Sequence, residues 1–260
     1  MPVFAALLSG GESGVDYDQL VSSDSATVAE EEYLQILFWL QEAELPMTGA
    51  NVVRAMQLSA PTVHEMVGRL ERDGYITRDE HRTIAFTESG ERHAEEIVRR
   101  HRLIERFLTD VLGVPWDEVH EEAERLEHAM SPLLEERMLA AIGGAKTCPH
   151  GHPITAGARI AGVPLADVEV GAAVRVLRFE NEAESLLRYL KVSGIEPGLE
   201  GRLVERGAGH VVVEADGGRR CALTASVAET VSVIADPSPP PRTALPEQLE
   251  LGEVGERYGR

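Results

Sequence analysis

Hydrophobic spacing along this chain changes once, and that change restricts the fold more than any composition value. From Thr27 to Gly144 apolar residues recur three and four apart, as in amphipathic helices, with one interruption near residues 75–87. Beyond Ala173 they come in short runs separated by glycine, aspartate and proline, as in short strands. A chain with helices first and strands last is an α+β protein.

The helical half can be read element by element. Tyr33, Leu34, Ile36, Leu37, Phe38, Trp39 and Leu40 give a first helix with a wide apolar face, ending before Leu45-Pro46. A short second helix covers Gly49 to Met56. The third opens on Ser59 as N-cap with Pro61 in its first turn, and runs through Val63, Met66, Val67 and Leu70 to the stop signal Asp73-Gly74. A hairpin follows: Tyr75–Arg78, a polar turn at Asp79–Arg82, then Thr83–Thr87. Three helices and a β-wing predict a winged helix-turn-helix. A long helix is expected over Glu88–Leu112, another from Val114-Pro115 to Met130, and one more from Ser131-Pro132 to Gly143-Gly144.

Cys148 to Leu165 is rich in glycine and proline and carries no period, so it reads as a linker. Strands are expected near Ala173–Arg178, Gly201–Glu205, His210–Glu214, Arg220–Thr224 and Thr230–Ile234, with a helix at Ala183–Lys191, and together they suggest a small β-barrel. The resulting division is a flexible tail at 1–26, a winged helix-turn-helix at 27–96, a further set of helices at 97–147, a linker at 148–168, a barrel at 169–236, and a Pro-rich, acidic tail at 237–260.

No segment is apolar for the roughly 20 residues that span a bilayer, and no signal-peptide pattern opens the chain, so a cytoplasmic location is expected. Cys148 and Cys221 are the two cysteines, too few and too distant for a disulfide framework. The 44 acidic against 25 basic residues give a net charge of −19, which on its own argues against nucleic acid. An acidic chain binds DNA only if its basic residues share a face and something else, such as bound divalent cations, offsets the repulsion.

The residues that carry chemistry lie between His101 and His128. Glu124, Glu127 and His128 share one helix face by their spacing, while His120, one turn earlier, can join His101 and Glu105 in a second patch. Two imidazole and carboxylate clusters on facing helices suit a pair of divalent-metal sites. The same residue types also build dinuclear enzymes, but paired Glu-x-x-His and His-Glu-x-x-His motifs are absent, as are a nucleophile elbow, a Walker loop and a dinucleotide motif. A non-enzymatic regulator is therefore expected. A redox-sensing regulator working through Cys148, beside His150 and His152, is a further alternative.

In order along the chain, Ser59-Ala-Pro-Thr-Val, Arg69-Leu-Glu-Arg-Asp-Gly74, Arg100-His-Arg-Leu-Ile-Glu105 and Val119-His-Glu-Glu-Ala-Glu-Arg-Leu-Glu-His128 resemble the diphtheria toxin repressor family. The likeness runs from about Thr27 to Ile154, and the β region looks like that family's SH3-like (FeoA-type) domain. It implies a homodimeric repressor, with the helices at 97–147 for dimerisation and metal binding and two dimers on one operator as an option, that binds double-stranded operator DNA when Fe²⁺ or Mn²⁺ is present and controls metal-homeostasis genes.

The primary site implied is Glu32, Glu124, Glu127 and His128; the ancillary site is His101, Glu105 and His120, completed by Glu180 or Glu182. Two metals per subunit follow. Glu32 and Glu124 stand where the iron-responsive branch tends to carry Met and Cys, and an oxygen-rich site suits Mn²⁺, with Fe²⁺ as the alternative. Gln35 stands where the manganese-responsive branch often has another carboxylate. For DNA, the likeness implies Ser59, Pro61 and Glu65 near base edges, with Thr62 and His64 as further DNA-binding candidates on the same helix, and Arg69, Arg72 and the wing residue Arg82 as phosphate contacts.

Overall fold

The computed structural model describes residues 26–155, 157 and 160–236; the tails expected at 1–26 and 237–260 lie outside these apart from Ala26. The chain divides into two compact units, the first running to His101 and including Leu126–Ser131, the second made of Arg102–Arg125 and the residues from Pro132 onward.

The first unit opens with helix α1, Val28–Glu42. Thr27 starts it, its backbone N–H donating to Glu30 Oε2 at 2.7 Å and its hydroxyl to the same oxygen at 2.8 Å. Helix α2, Gly49–Met56, is capped by Thr48 and ends on Gln57 in the left-handed region (φ 55°). Helix α3, Ala60–Arg72, begins as its sequence predicts, with Ser59 Oγ accepting from the Thr62 N–H at 3.3 Å and Pro61 in the first turn.

Strands β1, Ile76–Arg78, and β2, Ile84–Phe86, pair antiparallel with Ile76 opposite Phe86. Asp79 closes their turn by accepting from the backbones of His81 (2.9 Å) and Thr83 (2.8 Å). Leu34, Leu37, Val52, Val63, Leu70, Ile76 and Ile84 form one buried cluster, so helices and wing share a core. Helix α4, Glu88–Asp110, adds Ile97 and Val98 to it. Gly90, in the first turn of α4, lies so close to the wing that a Cβ there would fall 1.8 Å from the Tyr75 carbonyl oxygen.

In the second unit α4 is followed by α5, Val119–Glu127, and α6, Pro132–Ala141. The segment after α6 has no helical or strand period, yet it is held tightly. Thr147 bridges Pro153, Cys148 N–H donates to the His152 carbonyl at 2.8 Å, and Arg106 donates to the carbonyls of Thr147 (2.7 Å) and Cys148 (2.8 Å). Gly151 is required there: its φ is +95°, and a Cβ would sit 1.9 Å from the Leu177 carbonyl oxygen.

The strands follow: β3 Val163–Pro164, a 3₁₀ turn at Leu165–Asp167, β4 Ala173–Phe179, helix α7 Glu184–Ser193, β5 Glu200–Gly207, β6 His210–Ala215, β7 Arg220–Thr224, a helical turn α8 Ala225–Ala228, and β8 Val231–Asp236. They form one six-stranded sheet in the order β3-β8-β4-β5-β6-β7, around a core of Val174, Val176, Phe179, Leu187, Leu203, Val213 and Val231. The expectation of a barrel is corrected here, because the sheet does not close. Its last strand, β7, meets α7 instead of another strand, and the Thr224 N–H donates to the Tyr189 hydroxyl at 3.3 Å.

Candidate metal centres and DNA-facing surface

Within the first unit, side chains from α1, α4 and the end of α5 converge on Glu127 and His128. Glu127 is buried; its Oε2 lies 2.6 Å from His101 Nδ1 and accepts from Gln35 Nε2 at 3.3 Å. His128 sits between two carboxylates, with Nδ1 2.6 Å from Glu31 Oε2 and Nε2 3.4 Å from Glu127 Oε1. The other oxygen of Glu31 faces His93 Nε2 at 3.5 Å. Burial alone would raise the Glu31 pKa, but hydrogen bonds from His93 and His128 outweigh it and hold the carboxyl below its usual range.

Of the residues expected at the primary site, Glu127 and His128 meet here. Glu32 is exposed, and it is Glu31, one residue earlier, that reaches His128. Glu124 has its side chain 52% exposed and lies 3.4 Å from His120 Nε2. His101, expected at the ancillary site, turns its Nδ1 to Glu127 and its ring edge to Trp39. Sequence reasoning passed over Glu31 and His93 as members of this group. Glu31 and Gln35 are four apart and so share a face of α1, a signal open to sequence reading; His93 carried none.

The second unit holds a denser cluster. Buried Glu105 presents Oε1 to His120 Nδ1 at 3.1 Å and to His150 Nδ1 at 3.2 Å. Glu182 Oε2 faces the same two nitrogens, each at 3.3 Å, and Glu182 Oε1 is 3.2 Å from His152 Nε2. The Cys148 thiol completes a group with Glu105 and His150 whose ligand atoms all lie within 4.8 Å of one another. His150 Nε2 is 2.7 Å from the Trp116 carbonyl oxygen, which can only accept, so this nitrogen carries a proton and Nδ1 is the one directed at the carboxylates. That is the arrangement of a metal-ligating histidine whose second nitrogen is fixed by a backbone carbonyl.

The electrostatics of the cluster follow from imidazoles set among buried carboxylates. Burial alone would lower the pKa of His120, but hydrogen bonds to Glu105, Glu124 and Glu182 override it and raise it to about 12. His150 is likewise raised against its burial by Glu105 and Glu182. Burial pushes Glu182 up, but His150 and His120 outweigh it and hold it well below the carboxylate range. Burial and Glu105 both push the Cys148 thiol up. Protons thus supply positive charge that a divalent cation could supply, and imidazole, carboxylate and thiol donors fit one.

Glu105 and His120 were expected here. Of the two carboxylates proposed to complete the group it is Glu182, since Glu180 pairs with Arg178 Nε at 2.8 Å. Cys148, His150 and His152 were read as part of a linker, with a redox-sensing stretch as the alternative; their Cys-x-His-x-His spacing was the available signal for a place in this cluster.

Ser59, Pro61, Thr62, His64, Glu65, Arg72 and Arg82 are all exposed. A concavity of about 1010 Å³ opens between α2, α3 and the wing, lined by Thr48, Arg54, Pro61, His64, His81 and Arg82 among others. Arg54 and His81 were not singled out from sequence. Arg69 differs from expectation in its setting, since its guanidinium is engaged by Glu30 (2.9 Å) and Asp73 (3.6 Å).

A winged helix presenting a basic groove, with buried imidazole and carboxylate clusters in both units, defines a metal-responsive DNA-binding protein. Three family models match in succession: the iron dependent repressor N-terminal DNA binding domain over residues 26–84, the iron dependent repressor metal binding and dimerisation domain over 87–156, and the FeoA domain over 163–235. The iron-dependent repressor IdeR of Mycobacterium leprae is 31% identical over 221 residues, covering 78% of this chain and 95% of that protein. Among solved structures, a manganese-dependent transcriptional repressor in complex with manganese superposes with a TM-score of 0.73 at 32% identity, over 79% of this chain and 99% of the other. IdeR of T. acidophilum gives 0.68 at 28% identity, over 82% and 99%.

The chain belongs to the diphtheria toxin repressor family of metal-dependent transcriptional repressors, with DNA-binding and dimerisation domains. Among the described residues no helix is long and apolar enough to cross a membrane.

Proposed function

We propose that this protein is a manganese-activated repressor with two cation positions per subunit, and that it engages operator DNA in the cytoplasm as a homodimer, acting as a regulator without catalytic activity. The first position is built on Glu127 and His128, with Glu32 and Glu124 as the carboxylates the family likeness assigns to it. The second is built on Glu105 and His120, with Cys148, His150 and Glu182 beside them. The observation that carries the reading is the burial of Glu127 against both α1 and α4, where it joins Gln35 and His101.

With a cation bound, these side chains tie α1 of the DNA-reading unit to the segment after α5, and the tie sets the position of α3 in the dimer. Moving such an equilibrium from 1:99 to 99:1 takes about 5.5 kcal/mol of differential binding. Val111, Leu112, Leu133 and Leu139 leave apolar surface exposed on α6 and the turn between α4 and α5, and a second copy is the partner proposed to cover it. Two such dimers on one operator are compatible with this scheme.

Manganese is favoured because the first position offers oxygen and imidazole donors without sulfur. Anaerobic titration of the apo protein on operator DNA with Mn²⁺ and Fe²⁺ separately, at fixed salt, tests the proposal. Tight binding is expected at lower Mn²⁺ than Fe²⁺. Equal or stronger activation by Fe²⁺ reassigns the metal, and binding without metal removes the mechanism.

A further inference from the structure

We propose that the groove between α2, α3 and the wing seats one sugar-phosphate strand of operator DNA, and that Arg54 of α2 is a phosphate contact there, across the groove from Arg82 of the wing. The inference rests on the operator binding proposed above and adds Arg54 to the contacts that the family likeness implies. All the residues concerned lie in the first unit.

The sorting of charge carries the argument. The chain has 44 acidic against 25 basic residues, so its surface on the whole repels DNA. The groove reverses that balance: Arg54, His64, Arg78, His81 and Arg82 line it, and none of its described lining residues is acidic. Two guanidinium groups of this region are already neutralised. Arg69 is engaged by Glu30 at 2.9 Å and Asp73 at 3.6 Å, and Arg78 is paired with Glu71. Arg54 differs from both. Its Nη1 donates to Asn51 Oδ1 at 2.9 Å, and Asn51 Nδ2 donates in turn to the Pro46 carbonyl oxygen at 2.7 Å. These partners are uncharged, so they orient the exposed guanidinium and leave its charge for a phosphate.

The wing wall is fixed by its turn. Asp79 Oδ1 accepts from the backbones of His81 and Thr83 at 2.9 and 2.8 Å, and Arg82, between them, is held in the left-handed region at φ 61°. A residue with a Cβ seldom adopts that conformation, and the turn imposes it on an arginine whose side chain is exposed along the groove. Pro61 and His64 of α3 line the space between the walls. A strand lying there passes beside the first turns of α3, the part of a recognition helix that reads base edges.

The test uses the full-length protein in saturating MnCl₂ and two probes, a duplex selected from random sequence by the parent and an unselected duplex. The parent, Arg54→Gln, Arg54→Lys and Arg82→Gln are titrated over a range of salt, and phosphate-ethylation interference maps their contacts on the selected duplex. Arg54→Gln is expected to lower the slope of log affinity against log salt by about one and to weaken binding to both probes by the same factor, as loss of a phosphate contact does. Arg54→Lys keeps the charge and is expected to keep the parent's slope, which a role confined to bonding Asn51 would not give. Interference should disappear at one phosphate of each half-site in Arg54→Gln, and at another phosphate of the same strand in Arg82→Gln. The proposal is overturned if Arg54→Gln keeps the parent's slope and interference pattern, or if the two lost phosphates lie on different strands of the half-site. A parent that binds neither probe with Mn²⁺ or Fe²⁺ defeats the operator reading itself, whereas a parent that binds normally beside an unaltered Arg54→Gln defeats only this contact.

Discussion

Replacing Glu105 with glutamine removes one of the two carboxylates that face both His120 and His150 while keeping the side chain's size. In the metal-free protein the second cluster balances protonated His120 and His150 against Glu105 and Glu182, in a site where Glu105 and His150 have no exposed surface. Without Glu105 one imidazolium loses a partner only 3.1 to 3.2 Å away. Breaking a buried pair in this way costs about 3 to 5 kcal/mol, or roughly 6 to 20 °C of melting temperature for a unit of this size. If the stranded imidazole releases its proton instead, the loss falls toward the lower figure.

The variant also lacks an anionic donor, so the stabilisation given by added metal shrinks. A cation at a hundred times its Kd stabilises by about 2.7 kcal/mol, and a tenfold weaker site forfeits about half of that. Thermal melts by circular dichroism in chelator and then in MnCl₂, at one pH and protein concentration, read both effects. A Glu105→Gln protein that melts within about 1 °C of the parent in chelator, with the same gain from metal, would refute the charge-balance argument for this cluster.

Three further outcomes follow from the same geometry. Because His120 is raised from 6.5 to about 12, its contribution to stability is complete below pH 6.5 and is lost as pH climbs toward 12; Glu182, held low, contributes above about pH 4.5 and loses that on acidification. Melts of the metal-free protein should therefore fall above pH 6.5, while Mn²⁺ affinity rises over the same range because the ion displaces protons; a flat profile in both would contradict the assignment. Gly90→Ala should cost about 1 to 3 kcal/mol and weaken DNA binding, since the new Cβ meets the Tyr75 backbone, and parent-like melting and affinity would show that α4 yields freely there. Arg69→Ala should lower stability by under about 1 kcal/mol, the side chain being 43% exposed, and should leave the salt dependence of DNA binding unchanged if Glu30 keeps it from phosphate; a salt slope lower by about one would restore the phosphate role.

Periodicity and local chemistry were enough to place most elements. The helix starts at Thr27 and Ser59, the turn at Asp79–Arg82 and the strands from Ala173 to Asp236 depend on residues close together in sequence, so neighbouring residues disclose them. The helical spacing of Glu124, Glu127 and His128, and of His101 and Glu105, announced metal chemistry for the same reason: positions on one helix face are a property of sequence alone.

What only the tertiary structure decided is which of these side chains meet across elements. It brought Glu31 instead of Glu32 to His128, and placed Cys148 and His150 beside Glu105 through a loop held by Arg106 and made possible by the bare Cα of Gly151, with Glu182 facing them from just ahead of α7. It also left the sheet open, with α7 beside β7. A helix face in sequence spans more than one candidate residue, a loop without a period announces no direction, and a single rotation of about 100° separates Glu31 from Glu32; only the packing of one element on another selects between them.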